Sequence, residues 1–395
     1  MTNSIWQKPV QRSTADGHRQ ATWIELFFDL IFVVAVAQLG SLLLEDVSWW
    51  SGTLYGVAYT AVWLSWVNAT IYANRFDSDD LSQRLITFGQ MLTVAGMAAS
   101  VAESAAIPFA ISIALFRILS AISYARVRKA IPSESALANR MVIVMSTIAV
   151  IWAASVFVDG RARIGVWAFA IGLEIGIQWL RSSRKRRGSA PIQMNHLVER
   201  FGLFTIIVLG ETVLAVVVGV AHAHWEATAV IFAVIGMTIS FSLWWIYFEG
   251  VVGTPLKDIG GIRPLVWVYG QALLVMSITA LGIGLEVAIF THLGESLGTP
   301  HTIVLVGALA LALVGIAVVL AAEATAEDRA RVVLARVPAI LLVLLMGLLP
   351  VSAQILLIGL AIIAAAQAVV DVRNSRQATP EPVAMVGEDQ GDSKQ

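Results

Sequence analysis

Long apolar runs that follow one another constrain this chain more than any other feature of its sequence. Twelve stretches of about 20 residues are each long enough to cross a hydrocarbon core of roughly 30 Å as an α-helix. The 395 residues are 58% hydrophobic and 13% charged, with a mean hydropathy of +0.79. Soluble chains carry about 25% charge. The sequence therefore predicts an all-α fold, that of a polytopic integral membrane protein.

The predicted spans are separated by short polar or proline-containing segments. Two boundaries are set by little more than a proline, Pro108 between the third and fourth spans and Pro350 between the last two. The spans are residues 24–44, 49–72, 84–105, 107–127, 139–159, 162–180, 197–220, 227–248, 263–291, 302–322, 332–349 and 351–370.

The basic residues predict the orientation of these spans. With twelve spans and the N-terminal segment inside, only Arg161 and Arg163 of the 26 lysines and arginines fall in outer loops. Positive charge concentrates on the cytoplasmic side of membrane proteins, so we expect both termini in the cytoplasm. The strongest run, residues 181–187, is interpreted as a topology anchor near lipid headgroups. The alternative is an anionic-lipid or nucleic-acid site, but no other feature indicates nucleic acid.

The same basic run divides the spans into two sets of six. The segment RLITFGQ, which ends at Gln90, is similar to RPLVWVYGQ, which ends at Gln271. An even number of spans per half gives both halves one orientation, as in transporters built from parallel repeats. The predicted divisions are a cytoplasmic segment 1–20, a first half 21–180, a basic loop 181–196, a second half 197–372 and a disordered tail 373–395.

Two acids begin the first span where hydrocarbon should exclude charge. Glu25 and Asp29 are four residues apart and therefore share one helix face. Two carboxylates this close repel each other, which favours the binding of a proton or a cation. Acids in a first helical turn also complement the helix dipole, so a structural role is the alternative.

Glu199 begins the seventh span as Glu25 begins the first. His196 and Arg200 lie within one turn of it. A local pair with His196, or a glutamate–arginine pair between helices, would be structural. A proton- or ion-binding role for Glu199 is the other interpretation.

Glu211 lies deeper, about 21 Å into the seventh span at 1.5 Å per residue. A carboxylate at this depth costs several kcal/mol unless it has a partner. We therefore expect Glu211 to face the bundle interior and to be paired. Gly210 beside it would allow another helix to approach.

Arg117 is a permanent cation near the centre of the fourth span and needs a carboxylate or water. Glu174 lies at a similar depth in the sixth span, between Gly172 and Gly176, a spacing that allows close helix contact. We expect Arg117 to pair with Glu174 or with Glu211. Such a pair either fixes the fold or takes part in transport.

Gln90 and Gln271 are interpreted as polar groups that line a path through the bundle. The alternative is that they only bond neighbouring helices, as amides in membrane helices commonly do. The chain has no cysteine, which excludes disulfides and thiolate metal sites. The histidines match no zinc spacing, and the signatures of nucleotide-binding and hydrolytic enzymes are absent. We therefore predict no metal, no cofactor and, on balance, no enzyme.

Two motifs identify a family resemblance. The segments ELFFDLIFV, from Glu25 to Val33, and ERFGLFTIIVLGE, from Glu199 to Glu211, resemble those of the bacterial low temperature requirement A (LtrA) family. The resemblance extends over roughly residues 20 to 370. It implies a multi-pass protein of the bacterial inner membrane that is associated with growth in the cold, and it supplies no assigned catalytic residues.

The acids at depth and the apparent duplication favour a secondary transporter, which would be coupled to protons by its intramembrane carboxylates. Its expected partners are the lipid bilayer and an unidentified small solute or ion. The alternatives are a membrane-embedded enzyme that modifies lipids and a non-catalytic scaffold or sensor.

Overall fold

The computed structural model describes residues 8–11, 21–45, 47–77, 80–182, 193–252, 261–325 and 328–378. Most of the predicted N-terminal segment, most of the basic loop and most of the C-terminal tail lie outside these residues.

Helices account for nearly all of the described chain. They are α1 Trp23–Glu45, α2 Trp49–Arg75, α3 Leu81–Ala102, α4 Ala106–Ala130, α5 Ser135–Ala154, α6 Gly160–Ser182, α7 Met194–His222, α8 Ala227–Tyr247, α9 Arg263–Phe290, α10 Thr299–Glu323, α11 Asp328–Leu334, α12 Val337–Leu348 and α13 Ala353–Ala378. Two-residue strands, β1 Val10–Gln11 and β2 Phe76–Asp77, form one short antiparallel pair.

Eleven helical segments of the described chain are long and apolar enough to cross a membrane, and α11 with α12 counts as one of them. The predicted all-α, polytopic fold is confirmed. The predicted second span, which α2 forms over 27 residues, is not among the eleven. Its Ser65, Asn68, Thr70 and Asn74 are buried, and the helix packs against α1, α4, α6, α7 and α9. A helix surrounded by other helices has no need of a lipid-facing surface, which explains its polar composition.

The boundaries near prolines have local causes. The chain turns between α3 and α4 at Ser104, which has a φ of 52°. The eleventh predicted span is broken between α11 and α12, and Pro338 lies in the first turn of α12. Proline has no N–H to donate to the preceding turn and is tolerated only at a helix start, so the break falls immediately before it.

Helices of the two predicted halves pack in corresponding pairs. In the first half, α1 packs on α2 and α3, and α3 packs on α4; in the second half, α7 packs on α8 and α9, and α9 packs on α10. The pairs α5–α6 and α2–α6 likewise have counterparts in α12–α13 and α8–α13.

The two halves meet at aromatic side chains of α2, α7 and α9. The Phe201 ring lies 4.7 Å from the Trp66 ring and 4.8 Å from the Trp267 ring, measured between centroids. All three side chains are buried. Rings at these distances contribute about 0.5–1.5 kcal/mol per pair beyond the area they bury, so this contact holds α2 and α9 on either side of α7.

Candidate functional site

The end of the bundle at which α1 begins, called the proximal end, carries an ion-pair cluster between α1 and α7. The Arg200 guanidinium contacts the Asp29 carboxylate through Nη2 and Oδ1. Its Nη1 lies 3.8 Å from Oε1 of Glu25. Asp29 is 0% exposed and Arg200 1% exposed. One guanidinium thus lies between the two repelling carboxylates, whereas the sequence offered only an unspecified glutamate–arginine pair between helices as an alternative.

Neighbouring side chains fix the geometry of this cluster. The Trp66 indole Nε1 donates to Asp29 Oδ1 at 2.7 Å, and its ring lies 5.9 Å from the Arg200 guanidinium carbon. His196 Nε2 lies 3.8 Å from Glu25 Oε2. His196 therefore faces the acid of α1, whereas a local pair with Glu199 was one of the alternatives that the sequence left open.

Glu25 also starts its own helix. Thr22 precedes α1, its backbone N–H donates to Glu25 Oε2 at 2.8 Å, and its hydroxyl accepts from the Glu25 N–H at 3.4 Å. These reciprocal bonds form a capping box, which satisfies two N–H groups at the helix start. One carboxylate therefore serves both the helix cap and the ion-pair contact, as the structural interpretation of Glu25 expects, and its proton- or ion-binding role stays a prediction.

A second buried ion pair joins α4 to α6. Arg117 Nη2 lies 3.1 Å from Glu174 Oε2, and the two side chains are 1% and 2% exposed. Of the two partners predicted for Arg117, the structure selects Glu174. The Asn68 side-chain amide on α2 donates to Glu174 Oε1 at 2.6 Å. Central α2 therefore contacts both charge clusters, through Trp66 in one and Asn68 in the other.

The glycines around Glu174 do not make the helix contact that their spacing predicted. A Cβ atom added at Gly172 or Gly176 would have no described heavy atom within 4 Å. That expectation is wrong, because the face that carries these glycines is not the face on which α6 packs. The close approaches occur instead between α9 and α10, where a Cβ at Gly315 would lie 2.8 Å from the backbone nitrogen of Leu274.

A half-enclosed cavity of about 610 Å³ opens at the proximal end. Glu25, Arg200, Asn68 and Gln90 line it, so it touches the first cluster directly and the second through Asn68. Further polar groups of its wall are Thr22, Gln83, Arg84, Thr87, Ser120 and Ser123, and its aromatic wall comprises Trp23, Phe28, Tyr72, Phe76 and Tyr124. The cavity wall therefore combines charged, amide, hydroxyl and aromatic side chains.

The two glutamines predicted to line a polar path differ in their surroundings. Gln90 lies in the cavity wall, and its Nε2 donates to the Ser120 hydroxyl at 3.2 Å. Gln271 is 0% exposed and lies away from this cavity, and neither of its amide atoms has a hydrogen-bond partner among the described residues.

The two acids predicted on α7 lie apart from the cavity wall. Glu199 Oε1 accepts the backbone N–H of Ala21 at 3.3 Å. Glu211 is half-buried, and the structure gives it no hydrogen bond or ion pair with a described residue. A Cβ at Gly210 would also meet open space. The expected partner of Glu211 is therefore absent from the described chain, because helix rotation turns this position toward the edge of the bundle.

The sequence analysis did not predict an ion pair between Asp80 and Arg126, which lies beside Gln83 of the cavity wall. Asp80 precedes α3 and accepts the backbone N–H groups of Ser82 and Gln83. Arg126 Nη2 lies 2.8 Å from both of its carboxylate oxygens. Burial raises the pKa of Asp80, but the bonds and charge of Arg126 and the backbone N–H groups outweigh it and hold that pKa below 3.8. The sequence does indicate the cap, because an acid stands immediately before an apolar helix. It does not indicate the ion pair, because Arg126 lies 46 residues away from Asp80.

A further unpredicted ion pair lies in the second half. Arg336 Nη2 contacts Asp371 Oδ2 at 2.8 Å, and Gln367 donates to the other oxygen of Asp371 at 3.0 Å. Among the described residues, no group of three or more histidine, aspartate or glutamate side chains is arranged to hold a metal ion.

The fold and its buried ion pairs define a multi-pass helical membrane protein with a polar cavity at one end. The model of the family described as bacterial low temperature requirement A protein (LtrA) matches residues 20–368, and the chain belongs to that family. This confirms the resemblance that the motifs predicted.

The chain is also similar to an uncharacterized protein of Rhizobium meliloti (strain 1021), with 26% identity over 262 residues. The match covers 61% of this chain and 64% of that protein, so this chain spans less than two thirds of the relative's length. No solved structure gives a significant match.

Proposed function

We propose that this LtrA-family protein is a proton-coupled secondary transporter that takes a small polar solute into the cavity at its proximal end. The observation that carries the proposal is the cavity of about 610 Å³, whose wall includes Glu25, Arg200, Asn68 and Gln90. Charged side chains at membrane depth are costly, and they are retained chiefly where they serve a pathway. Here two of them line a space large enough for a solute.

The charge balance of the first cluster supports proton coupling. Glu25 and Asp29 carry two negative charges, and Arg200 supplies one positive charge. The remaining negative charge is balanced when one proton binds, and the His196 imidazole lies 3.8 Å from Glu25 in the same cluster. Because Glu25 lies in the cavity wall, a change in its protonation acts directly on a bound solute.

The Arg117–Glu174 pair contacts the cavity wall through Asn68. Asn68 shares its amide between the backbone carbonyl of Leu64 and Glu174, at 2.7 and 2.6 Å. The ion pair therefore holds one polar group of the cavity wall in place. In this proposal Arg117 and Glu174 position Asn68, whereas Glu25, Asn68 and Gln90 contact the solute. Glu199 and Glu211 keep their proposed roles as accessory proton sites.

The proposed orientation places the cavity mouth in the cytoplasm of a bacterial inner membrane. The basic residues Arg75, Arg84, Arg126 and Arg128 lie at helix ends on this side, as the positive-inside rule expects. The corresponding helix pairs in the two halves support the proposed duplication, which parallel-repeat transporters share.

Transport is tested with purified protein in proteoliposomes on a solid-supported membrane. Pulses of amino acids, organic acids, polyols, sugars and nucleosides are applied with and without a pH gradient. We expect at least one class to evoke a current that depends on the gradient. Asn68→Leu removes a polar group of the cavity wall and should abolish this current. Asn139→Leu makes the same change at an exposed position of α5 and should preserve it.

Three results would refute the proposal. One is the absence of any solute-dependent current from folded protein, and another is equal currents from the two leucine variants. The third is a lipid species that disappears when the gene is deleted and returns with active protein, which would favour the lipid-modifying enzyme. Unchanged cold growth with a charge-neutral pair at positions 117 and 174, together with no current, would favour the scaffold.

Because the chain has no cysteine, its orientation is testable with single-cysteine variants. Ser133→Cys lies between α4 and α5 on the proximal side, and Ser296→Cys lies between α9 and α10 on the opposite side; both positions are exposed. In intact cells, an impermeant maleimide should label only Ser296→Cys. Labelling of Ser133→Cys alone would reverse the orientation.

A further inference from the structure

A second set of polar atoms in the proximal end of the second half has no described partner. Gln271 is fully buried, yet both its Oε1 and Nε2 lack a hydrogen bond to any residue that the structure describes. Leaving a buried amide unsatisfied costs about 1–3 kcal/mol. Its sequence position corresponds to that of Gln90, which lies in the cavity wall.

A carboxylate without a cation lies beside it. Trp267, one turn before Gln271 on α9, donates its indole N–H to Glu323 Oε1 at 2.7 Å. Glu323 Oε2 is buried and unpartnered in the described chain. Glu323 ends α10, where the negative end of the helix dipole opposes a second negative charge. This carboxylate is therefore neutralised either by a proton or by a bound cation.

An arginine at the start of α9 bonds backbone carbonyls near the end of α10 instead of this carboxylate. Arg263 begins α9, and its Nε and Nη2 donate to the backbone carbonyls of Ala322 and Ala324 at 2.9 and 2.5 Å. It makes no ion pair within 4.0 Å of Glu323 among the described residues. By contrast, Asp29 in the other cluster has both an indole, from Trp66, and a guanidinium.

Two hydroxyl groups complete the surroundings. The Tyr247 hydroxyl at the end of α8 is buried and makes no hydrogen bond of 3.5 Å or less within the described chain. Its polar neighbours are the Thr205 hydroxyl and the Gln271 amide, which lie close enough for longer polar contacts, and the Glu323 carboxylate. The Thr205 hydroxyl on α7 donates to the Phe201 carbonyl, which leaves its lone pairs free to accept. Four consecutive long helices, α7 to α10, thus each contribute one oxygen atom.

We propose that Glu323, Gln271, Tyr247 and Thr205 form a sodium-binding site in the second half of the protein. Hard cations bind carboxylate, amide and hydroxyl oxygens. One formal negative charge among four oxygens matches a monovalent cation. A proton on Glu323 would neutralise the charge but would leave the Gln271 Oε1 and the Tyr247 hydroxyl oxygen without a partner, whereas a sodium ion binds both of these oxygens together with the carboxylate.

Sodium binding stands independently of transport, and only the role of sodium as a coupling ion rests on the proposed function. Binding is measured on the full chain in detergent by thermal unfolding in NaCl, KCl and choline chloride at constant ionic strength. Uptake of ²²Na⁺ by the immobilised protein is measured in parallel. We expect NaCl alone to raise the unfolding temperature in a saturable way.

Glu323→Gln removes the charge and should abolish the response to sodium. Glu286→Gln makes the same change on α9 at the opposite end of the bundle, where the acid faces His222 at 3.5 Å, and should retain it. Gln271→Leu should also abolish binding. If that variant does not fold, Tyr247→Phe removes one oxygen only, and we expect it to weaken sodium binding about tenfold, equivalent to roughly 1.4 kcal/mol.

The proposal is overturned if the folded wild-type protein shows no saturable response to sodium, or responds equally to all three salts. It is also overturned if Glu323→Gln and Glu286→Gln respond alike, or if stability at this site changes with pH and not with sodium, which would indicate a proton site. Sodium binding without any solute current would refute the transport proposal and leave the site intact.

Discussion

Arg200 is the only described cation that contacts both acids of α1, and its removal gives the sharpest test of the buried cluster. In Arg200→Leu, Asp29 keeps only the indole N–H of Trp66, at 2.7 Å, and Glu25 loses a guanidinium nitrogen 3.8 Å away. Two unit charges about 4 Å apart interact by about 4 kcal/mol at an effective dielectric constant of roughly 20. Breaking a buried pair from one side costs about 3–5 kcal/mol. Because Asp29 loses its guanidinium partner and Glu25 loses one of its contacts, we expect a loss at the upper end of this range, about 5 kcal/mol.

Removing the charge of Asp29 instead of that of Arg200 should cost less stability. Asp29→Asn leaves Arg200 beside Glu25, so we expect a loss of about 2 kcal/mol, in the range of one hydrogen bond to a charged group. The Arg200→Leu, Asp29→Asn double variant should lose less than the sum of the two single changes, because the buried charge that Arg200 leaves behind has been removed.

The free energy of unfolding is measured for each variant by titration with sodium dodecyl sulfate in mixed micelles, followed by far-ultraviolet circular dichroism. The matched control is Arg128→Leu, which removes an exposed arginine that bonds only Asn139 among the contacts described, and which should cost about 0–1 kcal/mol. Similar losses for Arg200→Leu and Arg128→Leu, or strict additivity in the double variant, would refute the reasoning.

Three other predictions concern stability, each measured by the same titration. Glu174→Gln should cost about 3–5 kcal/mol because it leaves Arg117 buried without a counter-charge, and the apolar pair Arg117→Met with Glu174→Leu should recover most of the loss; a double variant as unstable as the single one would contradict this. Asp80→Asn should cost about 1–3 kcal/mol at pH 7, because the lowered pKa of Asp80 stabilises the fold whenever the group is ionised. Since this stabilisation is lost as the pH falls through a pKa below 3.8, the difference from wild type should shrink there and not at alkaline pH. Gly315→Val should cost about 1–3 kcal/mol by forcing α9 and α10 apart, whereas Gly307→Val, where a Cβ meets open space, should be tolerated.

The sequence determined the class of fold because hydrocarbon leaves a spanning chain little choice. Backbone groups in lipid must be bonded within the segment, so each apolar run of about 20 residues becomes a helix. Hydrocarbon also disfavours charged side chains, so the acids and the arginine deep in the predicted spans required an explanation. The sequence therefore identified Asp29 and Arg117 as residues that need partners, and it proposed Glu174 as one of the two candidates for Arg117. Pro108 and Pro350 indicated two of the helix boundaries.

Only the tertiary structure decided which buried charges meet. A single rotation of a helix about its axis moves a side chain from the bundle interior to the lipid, and an apolar sequence constrains that rotation weakly. Glu211 and Gly172 were expected to face neighbouring helices. Instead no described side chain pairs with Glu211, and no described heavy atom lies within 4 Å of a Cβ added at Gly172. Asp29 meets Arg200 across 171 positions of sequence because the aromatic contacts of Phe201 fix the rotation of α7.

The position of α2 also separates what the sequence determined from what the tertiary structure decided. Its polar and aromatic composition made it the least apolar of the predicted spans, and the sequence alone offered no reason. In the fold it is surrounded by five helices, so its side chains face protein and a cavity instead of lipid. Composition therefore determined that this chain lies in a membrane, whereas packing around α2 decided where its polar groups converge, because convergence depends on contacts between residues far apart in sequence.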